Sequence, residues 1–313
     1  MALIVSRKQT ERLIDMPQAM RLTERLFQDR AAGKLASVPR QRLSGSDKKL
    51  NFMAAWHRDW DVMCLRAYAG PANTITLYNG RSGKILAVFN ANYLSALRTG
   101  AASGVAAGHL GPPGARLLGL IGCGWQASFQ VEAVARACGI GEVLLFSRNP
   151  GRGRSFIRQM KRKLPLRFTE AVLAEEVEEK ADIIILATDS TVPILNGRGL
   201  KPHALVISMG ANQPVKREVS NELIKKMDLI VVDDLPTSKI DSGDLIKAER
   251  AGILSWTEVV PLERVIAEKQ REPRPRRILF KSHGIPDEDL ALSYYLLKLI
   301  RRRGIRVKEL AEI

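Results

Sequence analysis

Aromatic residues make up only 5% of the 313-residue chain, and its only thiols are Cys64, Cys123 and Cys138. An odd, sparse count with no CxxC pair implies no disulfide framework and fits a reducing compartment. Four histidines, His57, His109, His203 and His283, stand far apart with no HxxxH or Cys/His spacing, so no metal is expected. No apolar run approaches the roughly 18–20 residues of a membrane span. The opening MALIVSRKQTERLIDMPQAM passes from a short apolar start directly to charge. It lacks the basic lead, long apolar stretch and small-residue cleavage site of a signal peptide. The expectation is a cytoplasmic protein with no membrane partner.

The excess is of positive charge, with a formal net value of +16. Basic residues gather in RNPGRGRSFIRQMKRKLPLR (148–167), REPRPRR (271–277) and RRRGIR (301–306). Helix-turn-helix and RNA-module signatures are missing, and few aromatic residues are available to stack on bases. The charge therefore reads as a solvated basic surface that favours anionic ligands, not as a specific nucleic-acid site.

The length favours two domains. Residues 7–33 read as one helix, with Leu13, Met16, Met20, Leu22, Leu26 and Phe27 near helical spacing. From about 50 to 95 short strands follow, with turn signals at Asn79-Gly80 and Ser82-Gly83. A helix of small residues, LSALRTGAASGVAAGHL, then runs into GPPG at 111–114. From 115 strands and helices alternate: RLLGLIG, WQASFQVEAVARACG, VLLFS, SFIRQMKRKL, then ADIIILAT, ALVISMG and DLIVVDD. Alternation of this kind predicts an α/β fold with a doubly wound parallel sheet of Rossmann type. The final DEDLALSYYLLKLIRRRG predicts a helix whose cationic last turn suits its dipole.

Within this pattern GLIGCGWQASFQ (119–130) follows a buried strand and opens a helix. Gly122 permits the tight turn, Gly124 lets the backbone approach a pyrophosphate, and Ala127 keeps helix and strand close. At the end of the next strand an NAD-binding turn usually places an acid on the ribose 2′-hydroxyl. Here the chain reads VLLFSRNPGR. Ser147, Arg148 and Asn149 occupy that position, and a guanidinium suits a 2′-phosphate. NADP(H) is the expected cofactor, with NAD(H) possible. Thr188 and Met209-Gly210, at carboxyl ends of strands, are further cofactor candidates. Asp233 and Asp234 read as a strand-to-loop end and not as a paired-carboxylate site.

LSALRTGAASGVAA (94–107) strongly resembles the ornithine cyclodeaminase/mu-crystallin family. VPRQRL, NGRSGKILAVF, GLIGCGWQA, ADIIILATDSTVPIL, SMGANQPVKREV, DSGDLIKA and FKSHG carry the resemblance through nearly the whole chain. It implies a homodimer. Each subunit would have a substrate-binding and dimerisation domain from residues 1–112 and 285–313 and a Rossmann domain from 113–284. It further implies that Arg98, Arg40 and Arg66 bind a substrate carboxylate, although Arg42 leaves the register of Arg40 open. Thr99, Trp125, Gln126, Lys216 and Ser282 match cofactor-side positions.

Two departures from the family pattern bear on chemistry. Arg66 stands where many members carry lysine, and Asn212 where cyclodeaminases carry a basic aspartate. Neither group exchanges a proton near neutral pH. Glu218, Asp241 or a water remains as a candidate proton carrier. The resemblance thus implies an NAD(P)H-dependent reductase of small imino acids, or the reverse amino acid dehydrogenase, with Arg66 and Asn212 in the catalytic positions. The alternatives are ornithine cyclodeaminase and a crystallin-like NADPH-dependent binding protein.

Overall fold

The computed structural model describes residues 2–268 and 276–310; of the basic stretch 271–277, residues 271–275 lie outside the described residues. The chain divides into two compact units, Met1–Thr99 with Gly284–Ile313, and Gly100–His283. The sequence expectation sets the first boundary at 112, after the small-residue helix; the contacts divide inside that helix.

The first unit opens with β1 (Ala2–Val5), α1 (Arg7–Leu13) and α2 (Met16–Ala31). The single helix expected over 7–33 is therefore two. Pro17 has no N–H to return to the preceding turn, and Asp15 caps α2 by accepting from the Gln18 N–H at 2.9 Å. Five strands follow: β2 (Leu35–Ser44), β3 (Lys49–His57), β4 (Val62–Ala69), β5 (Ala72–Asn79) and β6 (Ile85–Asn90). Strand-rich chain thus begins well before residue 50. Within α3 (Asn92–Leu110) the chain passes into the second unit.

There the elements are β7 (Leu117–Ile121), α4 (Ala127–Cys138), β8 (Glu142–Phe146), α5 (Pro150–Lys161) and β9 (Arg167–Glu170). Then come α6 (Ala174–Lys180), β10 (Ile183–Leu186), β11 (Ala204–Ser208), α7 (Asn221–Lys225), β12 (Leu229–Val232), α8 (Leu235–Asp241) and α9 (Gly243–Arg250). β13 (Val259–Pro261), α10 (Leu262–Ala267) and β14 (Arg277–Lys281) complete this unit. The chain returns to the first unit with α11 (Pro286–Arg303) and β15 (Lys308–Leu310).

In the first unit the sheet order is β15-β1-β6-β5-β4-β3-β2. α11 packs against β2 to β5 and against α2. Along β3 the buried Met53, Ala55 and His57 alternate with the half-buried Phe52, Ala54 and Trp56, the period of two that a sheet with one covered face produces.

The second sheet is parallel throughout, in the order β13-β12-β14-β11-β10-β7-β8-β9. Strands β10, β11 and β12 are buried along their length, as the continuous apolar runs predict. Strand order reverses between β7 and β10, the switch point where doubly wound sheets bind ligands. In α3, Gly100 lies so close to α4 that a Cβ would come 2.7 Å from the Phe129 carbonyl oxygen. The small residues of this helix therefore serve helix–helix approach.

Candidate active site

Over the switch point of the second unit lies a cleft of about 830 Å³. Gly122, Gly124, Trp125, Gln126, Ser147, Arg148, Asn149, Thr188, Met209, Gly210, Asn212 and Lys216 line it. Twelve predicted or singled-out residues, from four separate segments, are thereby brought to one place. Gly122 sits at φ +97°, and a Cβ there would overlap the Ala187 carbonyl oxygen. A Cβ on Gly124 would meet nothing within 4 Å. One glycine closes the turn and the other leaves backbone bare toward the cleft, which is what a pyrophosphate at the start of α4 requires. Ala127 is fully buried and packs instead of lining the cleft.

The side chains of three expected cofactor residues hydrogen-bond within the protein. The Asn149 side chain caps α5, its Oδ1 accepting from the Arg152 N–H at 3.0 Å. Thr99 donates its hydroxyl to the Ser95 carbonyl one turn back at 2.8 Å. Ser282, buried, donates to Asp233 Oδ2 at 3.2 Å. Asp233 also accepts from the His283 N–H at 2.6 Å, and Asp234 caps α8 through the Thr237 N–H at 2.8 Å. This aspartate pair is thus the strand-to-loop end that the sequence suggests. At the far end of the cleft Arg148 stands 3.6 Å from Asp189, both highly exposed.

Beneath the ends of β10 and β11 lies a buried ionic group. Glu218, fully buried, accepts from Thr188 N–H and Oγ1 at 2.8 Å each, Ser208 Oγ at 2.7 Å, and the Gly210 and Ala211 N–H groups at 2.9 and 3.2 Å. Asp244 accepts from the Glu218 and Val219 N–H groups at 2.9 and 3.2 Å. The Lys281 ammonium donates to Ser208 Oγ at 2.8 Å and lies 3.4 Å from Asp244. Burial pushes the Glu218 carboxyl above its ordinary range, Lys281 pulls it down, and Asp244 pushes it up again. With five donors on two oxygens it has no lone pair to spare for relaying protons. That removes one of the two carboxylates suggested by the sequence as proton carriers.

The arginines belong to the first unit. Arg66 donates to both oxygens of Asp289 at 2.9 and 3.1 Å, to Asn73 Oδ1 at 3.0 Å and to Ser95 Oγ at 3.0 Å. Arg98 donates to Glu288 at 2.9 Å and to Asp289 at 3.2 Å. Arg40 donates to the Gly284 carbonyl at 3.3 Å. Gly284, at φ +72°, lies directly against the Arg98 guanidinium, where any Cβ would displace it. All three guanidiniums are buried around the segment that opens α11. Burial lowers the Arg66 pKa, an effect opposed by Asp289. All three guanidinium nitrogens of Arg66 donate inside the protein, which fixes Asp289, Asn73 and Ser95 around it. Glu288 and Asp289 are missing from the sequence reading; their place in FKSHGIPDEDL, beside a segment already singled out, was the available signal.

A doubly wound parallel sheet with a glycine turn over its switch point defines a dinucleotide-binding protein. The chain belongs to the ornithine cyclodeaminase/mu-crystallin family, whose pattern matches residues 2–303. It is 30% identical to the alanine dehydrogenase of Archaeoglobus fulgidus over 98% of both chains. It superposes with a TM-score of 0.92 on Thermococcus litoralis Δ1-pyrroline-2-carboxylate reductase in complex with NADH and L-proline, at 27% identity over 98% of this chain and 100% of that one. A dimeric archaeal alanine dehydrogenase with bound NAD superposes with a TM-score of 0.91, at 27% identity over 99% of both chains. With dehydrogenases and reductases as relatives, the chain is a nicotinamide-dependent oxidoreductase of this family. No helix among the described residues is long and apolar enough to cross a membrane.

Proposed function

We propose that the protein is an NADPH-preferring reductase of small cyclic or linear α-imino acids, running in reverse as an amino acid dehydrogenase, and that it works in the cytoplasm as a homodimer. Two observations carry this reading: Arg40, Arg66 and Arg98 are buried together in the first unit, and Arg66 and Asn212 stand where the family pattern carries a titratable lysine and aspartate. Bound in the cleft, a reduced nicotinamide supplies hydride to the imine carbon. Arg40 and Arg98 hold the substrate carboxylate, and a forked guanidinium fixes direction as well as affinity. Arg66, held by Asp289, Asn73 and Ser95, keeps the shared Asp289 and hence Arg98 in place. The Asn212 carbonyl oxygen accepts from the iminium N–H. An imine already protonated in water needs no acid from the protein, whereas cyclising ornithine requires a base.

The preference for NADPH rests on Ser147, Arg148 and Arg152 at the adenosine end of the cleft, with no acid closing β8. The exposed Asp189 is a weak competitor for Arg148 against a doubly charged phosphate. The homodimer is supported by the half-buried apolar face of β3 and β4, which carries Phe52, Ala54, Trp56, Leu65 and Ala67.

One assay tests the reading. Purified protein is offered NADPH or NADH with pyrroline-2-carboxylate, piperideine-2-carboxylate, or pyruvate with ammonia or methylamine, and in reverse NAD(P)+ with ornithine or alanine. Nicotinamide absorbance and released ammonia are followed together. Imine-dependent oxidation of NADPH, faster than of NADH, is expected. Ammonia released from ornithine with catalytic NAD+ would make the protein a cyclodeaminase. Tight NADPH binding without turnover would make it a binding protein. Sedimentation at twice the mass of one chain checks the dimer.

A further inference from the structure

Glu218 does not itself line the cleft, yet it holds residues beyond the ends of both β10 and β11 that do. Its Oε1 takes both the backbone and the hydroxyl of Thr188, two residues beyond β10. Its Oε2 takes the hydroxyl of Ser208, which closes β11, and the N–H groups of Gly210 and Ala211 beyond it. Asp244 in turn anchors the Glu218 backbone, and Lys281 braces both acids through Ser208 and Asp244. Thr188, Met209, Gly210 and Asn212 line the cleft on this side; Ser147 and Arg148 line it on the other side of the switch point. A dinucleotide laid across a doubly wound sheet places its adenosine over the β8 side and its nicotinamide over the β10–β11 side.

We infer that Glu218 is the positioning residue of the nicotinamide end of the cleft: its carboxylate ties the β10 and β11 loops into one rim, and the adenosine end does not depend on it. The inference rests on the cofactor reading proposed above. A carboxylate is required because five donors converge on two oxygens. Glutamine keeps the shape but supplies one acceptor and two N–H groups. Placed at Oε1, its NH2 faces the Thr188 N–H; placed at Oε2, it faces those of Gly210 and Ala211. The serine and threonine hydroxyls can turn to accept, but the backbone N–H groups cannot, and a buried donor left without an acceptor shifts until it finds one.

The test separates the two ends of the cofactor. Dissociation constants are measured on the full-length protein for NADPH, NADH and ADP-ribose, which carries adenosine and pyrophosphate but no nicotinamide. In Glu218→Gln the better-bound reduced dinucleotide is expected to weaken about tenfold or more, the effect of one lost buried hydrogen bond. ADP-ribose binding should change by less than about threefold, since its contacts lie elsewhere. Ser208→Ala, which removes the link between Glu218 and Lys281 with little change of volume, should show the same selectivity with a smaller loss. It keeps the inference testable if the first variant folds poorly. Equal losses for dinucleotide and ADP-ribose, or no loss in either variant, overturn the inference. If the unaltered protein binds neither NADPH nor NADH, the cofactor reading itself falls, and this inference with it.

Discussion

In the unit made from both chain ends, Glu288 and Asp289 on the first turn of α11 take the guanidiniums of Arg66 and Arg98. In the other unit, Glu218 and Asp244 take mainly backbone N–H groups, with Lys281 beside them. Both clusters are buried and ionic, and both cost desolvation that only full hydrogen bonding offsets. They differ in what the acids hold. Around α11 the acids fix long cationic side chains, whose ordering costs entropy. Under β10 and β11 they fix the chain itself, and through it a surface they do not reach. One cluster orders charged side chains and the other the backbone that walls a cleft.

The largest effect expected from breaking this contrast is on Asp289. Asp289→Ala leaves parts of two buried guanidiniums without an acceptor and should destabilise the fold by roughly 3–5 kcal/mol, read from urea unfolding. A loss under 1 kcal/mol would mean that the arginines do not depend on it. Arg98→Lys keeps the charge but loses the fork that serves Glu288 and Asp289 together. We expect kcat/KM for the imino acid to drop about a hundredfold, with a much smaller change in stability. Unchanged kinetics would place Arg98 outside the substrate site.

On the cofactor side, Ser147→Asp with Arg148→Ala should shift the NADPH/NADH ratio of kcat/KM by roughly tenfold or more toward NADH. Because the Arg148–Asp189 pair is exposed, unfolding should be unaffected, in contrast to Asp289. A constant ratio would remove the 2′-phosphate from this end of the cleft.

The smallest effect concerns pH. His57 stacks on Trp60 at 3.8 Å, and burial pulls its pKa below the ordinary 6.5, against the opposing pull of Asp29. The unfolded histidine therefore takes up a proton first as pH falls. The stability that neutral His57 contributes is complete above about 6.5 and is lost as pH drops through the folded value. His57→Gln should flatten the dependence of the urea midpoint on pH between about 7 and 5. An unchanged slope would assign that dependence to another group.

Much of the second unit was legible in the sequence because its signals are local. A buried strand, a glycine turn and an amphipathic helix stand in order within GLIGCGWQASFQ, and each apolar run that follows became a strand. The break at Pro17 was equally local, although helical spacing on both sides hides it. β13 and β14 were not legible, being short runs without alternation; β14 gains its place only from β11 and β12 on either side. The capping role of Asn149 was hidden because the same residue type suits a ribose and a helix start. For the arginines the residue types were readable but their partners were not: Arg66 and Asp289 stand 223 positions apart.

By itself the sequence determined the parallel α/β unit, the glycine turn over its switch point and the arginine types available for a carboxylate. The first two follow from periodicity and backbone sterics, which act over a few residues, and the third from the family resemblance. Only the tertiary structure decided that Arg66 meets Asp289, Asn73 and Ser95, and that Glu218 ties two strand ends together. Each depends on which donors meet which acceptors in a space closed to water, and those meetings join segments whose separation along the chain carries no trace of them.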